Sequence, residues 1–307
     1  MLPLIGFWSG LERARGRKRM LALYWVFHTL CALGAALPLM APAVRQLGRS
    51  RLGDELMRQF DLAWLAEVYS VAGEAAAPAA VFAAVAAGVI LLLGGVFLAG
   101  GAVPMLAREE AAYTPEEFWR GAGRNFWPFL RLALYSLNAY AAAFLLSGLV
   151  RRGAEAVWGE GLEARPLVWA GHARLAILAV LSGLISTAMD FAKVRLALSG
   201  SRQSLRACLG SLRLVWRHPG VMFWLWACFA AAGAAAAWAY VELAARLEGG
   251  GAVGFVLLVL AQQAYVLARI GLRFAAWGAA AELDPILRPL PAPEPAAAAA
   301  EALDYQI

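Results

Sequence analysis

The chain has 307 residues, of which 62% are hydrophobic and only 16% are charged. Soluble domains are about half apolar and a quarter charged, so this composition excludes an ordinary soluble domain. The net charge of +6 comes almost entirely from arginine, since Lys18 and Lys193 are the only lysines. In a membrane protein, such charge is explained by loops at an anionic membrane surface, and nucleic acid is not an expected partner.

Six apolar stretches are long enough to cross a bilayer core of about 30 Å, which needs roughly 20 helical residues. None of them alternates with a period of two, which favours helices over a β-barrel. The predicted fold class is therefore all-α, a polytopic membrane protein with six transmembrane helices as three hairpins within residues 1–283. The sixth span is able to continue as helix to about Glu282. The predicted spans cover residues 21–44, 77–104, 126–150, 167–198, 221–243 and 252–268.

The segments between and after the spans also carry predictions. Counts of Lys and Arg at the span ends favour both termini on the cytoplasmic side. Residues 54–71 have helical periodicity and are predicted to form an amphipathic helix, with Asp54 as its N-cap, that lies on the outer surface or caps the bundle. Residues 284–307 are rich in Pro and Ala and are predicted to form a flexible cytoplasmic tail.

The sequence contains a short internal repeat. Residues 7–24 and 118–135 align without gaps, and eight of the eighteen positions match, including Gly10 with Gly121 and Arg13 with Arg124. Each copy leads from aromatic and arginine residues into a membrane helix. Residues 201–219 occupy the same place before the fifth span. We infer three units, each an interfacial helix followed by a membrane hairpin, the third from its order alone.

The segment before the fifth span reads SRQSLRACLGSLRLVWRHP, from Ser201 to Pro219. At about 100° per residue, its arginines form one stripe that borders an apolar arc. This pattern predicts a helix in the headgroup plane, with Ser201 as its cap, and two roles stay open: an anchor that sets topology, or a site for anionic lipid headgroups. The stripe consists of Arg202, Arg206, Arg213 and Arg217, and the arc of Leu205, Cys208, Leu209, Leu212, Val215 and Trp216.

Polar residues inside the spans are candidate sites, because charges in a bilayer are costly. Asp190 lies near the cytoplasmic end of the fourth span, and the sixth span brings Arg269 and Arg273 to the same side. We expect an ion pair between Asp190 and one of these arginines, structural in the first interpretation and a gate or proton-coupled site in the second. Candidates for a shared polar cavity, each able instead to hydrogen bond a neighbouring helix, are His28, Asn138, Gln262 and Gln263.

Catalytic motifs are missing from the sequence. It contains no Walker A loop and no H-E-x-x-H, C-x-x-C or G-x-S-x-G motif. Its three histidines belong to separate segments without metal-ligand spacing. We therefore expect no metal, no cofactor and no enzymatic activity, with an intramembrane enzyme acting on lipid as the remaining alternative.

One run of the sequence carries a resemblance. The run MDFAKVRLALSGSRQSLRACLGSLRLVWRHPG, with FDLAWLAEVYSVAG and FLAGGAVPML, resembles poorly characterised bacterial six-span membrane proteins. These are distantly similar to the membrane domain found beside some glycerophosphodiester phosphodiesterases, whose activity is not carried over because the chain has no room for the catalytic domain. The resemblance implies a bacterial cytoplasmic membrane and supplies no catalytic residue.

Together these features predict a non-catalytic integral membrane module that serves as a lipid- or partner-binding scaffold. Its expected partners are membrane lipids, anionic ones among them, and a protein in the membrane. The alternative is a small permease with a polar pathway near Asp190, Arg269 and Gln263.

Overall fold

The computed structural model describes residues 1–47, 76–108, 113–158, 164–247 and 251–288. These residues form eight α-helices and no strand, which confirms the predicted all-α class. The helix predicted over residues 54–71 and residues 289–307 of the predicted tail lie outside the described residues. The helices are α1 (Leu2–Arg15), α2 (Lys18–Leu47), α3 (Ala76–Ala107), α4 (Pro115–Trp158), α5 (Ala164–Ser199), α6 (Ser204–Arg217), α7 (Pro219–Leu247) and α8 (Gly251–Leu287).

Six of these helices are long and apolar enough to cross a membrane, and the chain is a multi-pass membrane protein. Many of their large apolar side chains are exposed, as expected for helices that face lipid. The apolar segments of these helices are Lys18–Leu37, Val81–Ala107, Pro115–Val150, Val168–Ser199, Pro219–Leu247 and Val253–Leu287.

All six long helices extend beyond the predicted spans, and two of them do so by more than ten residues at one end. Helix α4 begins at Pro115, so the second repeat segment and the third span form one continuous helix. Helix α8 continues to Leu287, so the first residues of the predicted tail are helical. The polar end of α8 stays helical because its carboxylates are paired within the protein: Glu282 with Arg13, and Asp284 with Arg195 and Arg288.

The three segments placed before spans pack on the ends of other helices. Helix α1 packs on α8, the first turns of α4 pack on α3, and α6 packs on α5. The glycines matched in the repeat have the same role in both copies. A Cβ atom on Gly10 would overlap the backbone of Ala275, and one on Gly121 would lie 3.3 Å from the Gly100 carbonyl oxygen. Helix backbones therefore approach closely at both places.

The order of these contacts is cyclic. The start of α4 covers the second helix of the hairpin before it, and α6 does the same to the next hairpin. Helix α1 covers α8, the second helix of the third hairpin. We call this side of the bundle the capped end; it comprises α1, residues 115–128, α6 and residues 274–287, with the adjoining residues of α4 and α5. The fully buried phenylalanines at this end are Phe118, Phe129, Phe191 and Phe274.

Candidate functional site

A buried carboxylate, Asp190 of α5, lies at the capped end with only 3% of its surface exposed. Arg273 of α8 donates from Nη1 to Oδ2 over 2.9 Å, and its Nη2 lies 2.8 Å from Oδ1. Trp277 donates from Nε1 to Oδ1 over 2.9 Å. Both carboxylate oxygens are therefore occupied by donors from one face of α8, in the two-point geometry that is the strong form of an arginine–carboxylate pair.

A second cation and a hydroxyl complete this cluster. Ser186, one turn before Asp190, accepts a hydrogen bond of 3.1 Å from Arg273 Nη1. The Lys193 ammonium lies 3.9 Å from Asp190 Oδ1 and 5.6 Å from the centre of the Trp277 ring. The Arg273 guanidinium also lies over that ring, at 5.3 Å. Two cations thus share one carboxylate and one indole, which leaves the cluster with a formal charge of +1.

Of the two arginines predicted as partners of Asp190, Arg273 makes the contact. Arg269, one turn away on α8, is exposed and lies over the ring of Tyr265 at 5.8 Å. The sequence interpretation missed Trp277, although its position four residues after Arg273 placed it on the same helical face.

Further ion pairs join the capping segments to the bundle. Arg195 of α5 lies 3.6 Å from Asp284 of α8, and Arg288 lies 3.4 Å from the same carboxylate. Arg288 also donates to Ser211 Oγ of α6 over 3.1 Å. Burial lowers the pKa of the Arg288 guanidinium from its usual range, and the charge of Asp284 opposes that shift. This group of residues therefore connects α5, α6 and α8.

Helix α1 and the turn after it are joined to the bundle through two arginines. Arg13 forms an ion pair with Glu282 of α8 and donates to the carbonyl of Leu106 in α3 over 3.2 Å. Arg17 donates to the carbonyl of Met105 over 3.1 Å. The N-terminal segment is thus tied to the ends of both α3 and α8.

Helix α6 presents two different surfaces. Its buried side is small or polar and comprises Ser204, Ala207, Cys208, Ser211 and Leu214. Most of the predicted apolar arc points away from the protein, with Leu205, Leu209, Leu212 and Trp216 exposed and only Cys208 buried. The four arginines of the predicted stripe are exposed beside it. We call these eight exposed residues the α6 surface: Arg202, Leu205, Arg206, Leu209, Leu212, Arg213, Trp216 and Arg217.

Hydrogen bonds at the start of α6 fix its position on the bundle. Ser204 donates from Oγ to the carbonyl of Pro128 in α4 over 3.0 Å. Helix α6 begins at Ser204 with Gln203 as the N-cap, so the predicted cap at Ser201 is wrong; Ser201 Oγ instead accepts from the Gln203 amide at 3.2 Å. Burial also raises the pKa of the Cys208 thiol, which keeps this packed residue neutral.

The four residues predicted for a shared cavity have separate surroundings. His28 Nδ1 lies 2.8 Å from the carbonyl of Tyr24 in its own helix. Asn138 is exposed and donates to the carbonyl of Leu134, and Gln262 is exposed. Gln263 accepts from Trp25 over 2.8 Å and so links α8 to α2. The cavities at α3–α4, α4–α5 and α2–α8 are lined by other residues, and a cavity shared by the four stays a prediction.

Within the described ranges, no group of three or more His, Cys, Asp or Glu residues could hold a metal ion. Comparisons of the chain with protein-family models, with curated proteins and with solved structures find no match. The resemblance to the membrane domain of glycerophosphodiester phosphodiesterases therefore stays a prediction. Any assignment of function has to start from the geometry of the capped end.

Proposed function

We propose that the chain is a non-catalytic membrane module that binds anionic lipid headgroups with its α6 surface, on the cytoplasmic face of a bacterial inner membrane. The observation that carries this proposal is the position of the exposed leucines and Trp216 directly beside four exposed arginines. An apolar arc bordered by arginines is the arrangement of an amphipathic helix that lies in the headgroup plane.

The packing of α6 supports this proposal, because it holds the apolar arc outward. Ser204 is bonded to Pro128 and Ser211 to Arg288, so both ends of the buried face are held by the bundle. Trp216 is 88% exposed, which is costly in water and favourable at a membrane interface. Each arginine near an anionic surface contributes about 1 kcal/mol, so four of them favour anionic over neutral lipid.

The permease alternative has less support. A transport pathway needs polar groups that are free to bind a substrate, whereas both oxygens of Asp190 are occupied by Arg273 and Trp277. Arg269 lies over Tyr265 and Gln263 is bonded to Trp25, so the three residues of the predicted pathway have separate partners.

Lipid that co-purifies with the protein tests the proposal. The test variant replaces Arg202, Arg206, Arg213 and Arg217 with Gln, and the control replaces four other exposed arginines, Arg15, Arg19, Arg152 and Arg246. Both variants lose the same charge. We expect the test variant to retain at least about tenfold less anionic lipid by mass spectrometry, which corresponds to about 1.4 kcal/mol. Equal retention by wild type and test variant, or an equal loss in the control, would contradict the proposal.

A further inference from the structure

A cavity of about 240 Å³ lies between the end of α3 and the start of α4. Gly121 packs against Gly100 and Gly101, which brings the two helices together beside it. Neither Pro104 nor Gly121 has a long side chain to fill the space. We call it the α3–α4 cavity; its lining consists of Pro104, Met105, Arg108, Glu117, Arg120, Gly121 and Arg124.

Among the described residues, the lining of the α3–α4 cavity is cationic, with three arginines and one carboxylate, a formal charge of +2; Glu109 and Glu110, which follow Arg108 in the sequence, lie outside the described residues. Arg120 forms an exposed ion pair with Glu116, outside the cavity lining. No carboxylate within the described residues forms an ion pair with Arg108 or Arg124.

The internal repeat allows the surroundings of Arg124 at the α3–α4 cavity to be compared with those of Arg13. Arg13 in the first copy aligns with Arg124 in the second, and Arg13 is paired with Glu282 of α8. The matched glycines dock on Ala275 in the first copy and on Gly100 in the second. Glu282 comes seven residues after Ala275, and the residue seven after Gly100 is Ala107, followed by Arg108. At the position where the first copy has a carboxylate, the second therefore has alanine and an additional cation.

We propose that the α3–α4 cavity binds a phosphate-bearing anion, which takes the place that Glu282 has in the first copy. A guanidinium group can donate two parallel hydrogen bonds to phosphate oxygens. Arg108 directly follows the end of α3 and Arg124 belongs to α4, and both line the cavity. Two sources supply this chemistry: the headgroup of a phospholipid or free phosphate. The exposed Trp119 and Trp127 on the same segment of α4 are typical of headgroup depth, which favours the lipid. This site uses none of the residues of the α6 surface.

Binding to the purified full-length protein in a neutral detergent tests the proposal, with inorganic phosphate and short-chain phosphatidic acid as separate probes. Ligand-dependent increases in the unfolding temperature give the affinity for each probe. We expect Arg108→Gln/Arg124→Gln to bind at least about tenfold more weakly, which corresponds to about 1.4 kcal/mol. Glu117→Gln should bind more tightly, because it removes from the lining a negative charge that repels the anion. Weaker binding of phosphatidic acid alone to the cavity variant, Arg108→Gln/Arg124→Gln, identifies the lipid as the source, and equally weaker binding of phosphate identifies the free anion; both support the site, whereas unchanged binding of both probes overturns it.

The matched control is Arg15→Gln/Arg19→Gln, which removes the same charge from exposed residues outside both the cavity lining and the α6 surface and should leave both affinities within about twofold of wild type, or about 0.4 kcal/mol. A second variant, Arg108→Lys/Arg124→Lys, keeps the charge and removes the paired donors, so it should bind more weakly than wild type. It tests the site if the glutamine variant does not fold. The proposal is overturned if neither probe binds to wild type, or if the control loses as much affinity as the cavity variant. Because none of these variants changes a residue of the α6 surface, failure of the cavity proposal leaves the proposed function of that surface untouched.

Discussion

At the scale of single residues, Asp190 is the most constrained charge in the described part of the chain. Its carboxylate is almost fully buried and accepts from Arg273 and Trp277, with Lys193 nearby. Removal of one partner from a buried ion pair leaves the other charge unpaired, which destabilises the protein more than the intact pair stabilises it. The pair therefore fixes α5 relative to α8 as long as both members are present.

We predict that Arg273→Gln lowers the free energy of unfolding by about 2–3 kcal/mol, somewhat below the range for a fully buried pair. The reduction is smaller because 39% of the Arg273 side chain is exposed and Lys193 remains near the carboxylate. Thermal unfolding in detergent measures the effect. The matched control is Arg269→Gln, one turn away, which should cost less than about 0.5 kcal/mol. If Arg269→Gln destabilises as much as Arg273→Gln, the assignment of the pair is wrong.

A charge exchange gives an independent check of the same contact. Asp190→Arg and Arg273→Asp should each reduce the folded fraction, and the double variant should recover part of the loss because the opposite charges meet again. The same exchange with Arg269→Asp should show no recovery, since Arg269 lies over Tyr265.

The sequence was enough to single out Asp190 but not to complete its surroundings. A carboxylate in an apolar run is rare, and topology brings the end of the sixth span beside it. Arg269 and Arg273 lie one turn apart on the same helix, so periodicity alone could not choose between them. The sequence did not predict the hydrogen bond of Trp277 to Asp190, because tryptophan is common near the ends of spans and this bond depends on the rotation of α8.

At the scale of helices, the junction of α3 and α4 depends on a proline inside a membrane helix. Pro104 has no amide hydrogen, so it cannot donate to the carbonyl of Gly100 four residues earlier. Asn125 of α4 supplies the missing donor from Nδ2 over 2.9 Å and is only 4% exposed. One hydrogen bond between helices therefore replaces one within a helix.

We predict that Asn125→Leu destabilises the protein by about 1–3 kcal/mol, because the buried Gly100 carbonyl loses its donor. The cost should fall below about 1 kcal/mol in a Pro104→Ala background, where the backbone of α3 again has an amide for that carbonyl. Thermal unfolding of the two single variants and the double variant measures this coupling. Asn138→Leu is the control: Asn138 is exposed and bonds within its own helix, so its replacement should be nearly neutral. Strictly additive effects at positions 104 and 125 would contradict the account.

The sequence predicted which helices exist better than it predicted how they pack. The six long apolar runs correspond to six candidate spans, because length and composition alone define them. For α6, the hydrophobic pattern identified the arc that is exposed, while the face packed on the bundle carries small and polar residues such as Ser204, Ala207 and Ser211. Small residues bury little apolar area, so a hydrophobic pattern does not report the contacts that they make.

At the scale of the whole molecule, the two ends of the bundle differ. Helices α1 and α6 and the start of α4 all lie at the capped end, and α7 leads from α6 to the opposite end. At 1.5 Å per residue, the 29 residues of α7 span about 43 Å, enough to cross a bilayer. Arg206 and Arg246 are exposed at these opposite ends.

We predict that cysteines introduced by Arg206→Cys and Arg246→Cys react with a membrane-impermeant maleimide from opposite sides of a sealed membrane. The native cysteines at positions 31, 208 and 228 are first replaced by alanine. Under the proposed orientation, the cysteine at position 246 reacts in intact cells and the one at position 206 only in inverted vesicles. Permeabilised membranes, in which both must react, serve as the control. Labelling of both from the same side would show that α7 does not cross the bilayer.

The contact between α1 and α8 has a consequence for biosynthesis. Arg13 and Glu282 are separated by 269 residues, so the Gly10 surface docks on a helix that is translated much later than α1. At about 5–20 residues per second, the ribosome needs roughly 15–50 s to make the intervening chain. During that interval the glycine face of α1 has no docking partner, which leaves it accessible to chaperones and proteases. Docking of α1 onto α8 therefore requires that α8 has been synthesised, and a chain terminated before α8 cannot form this contact.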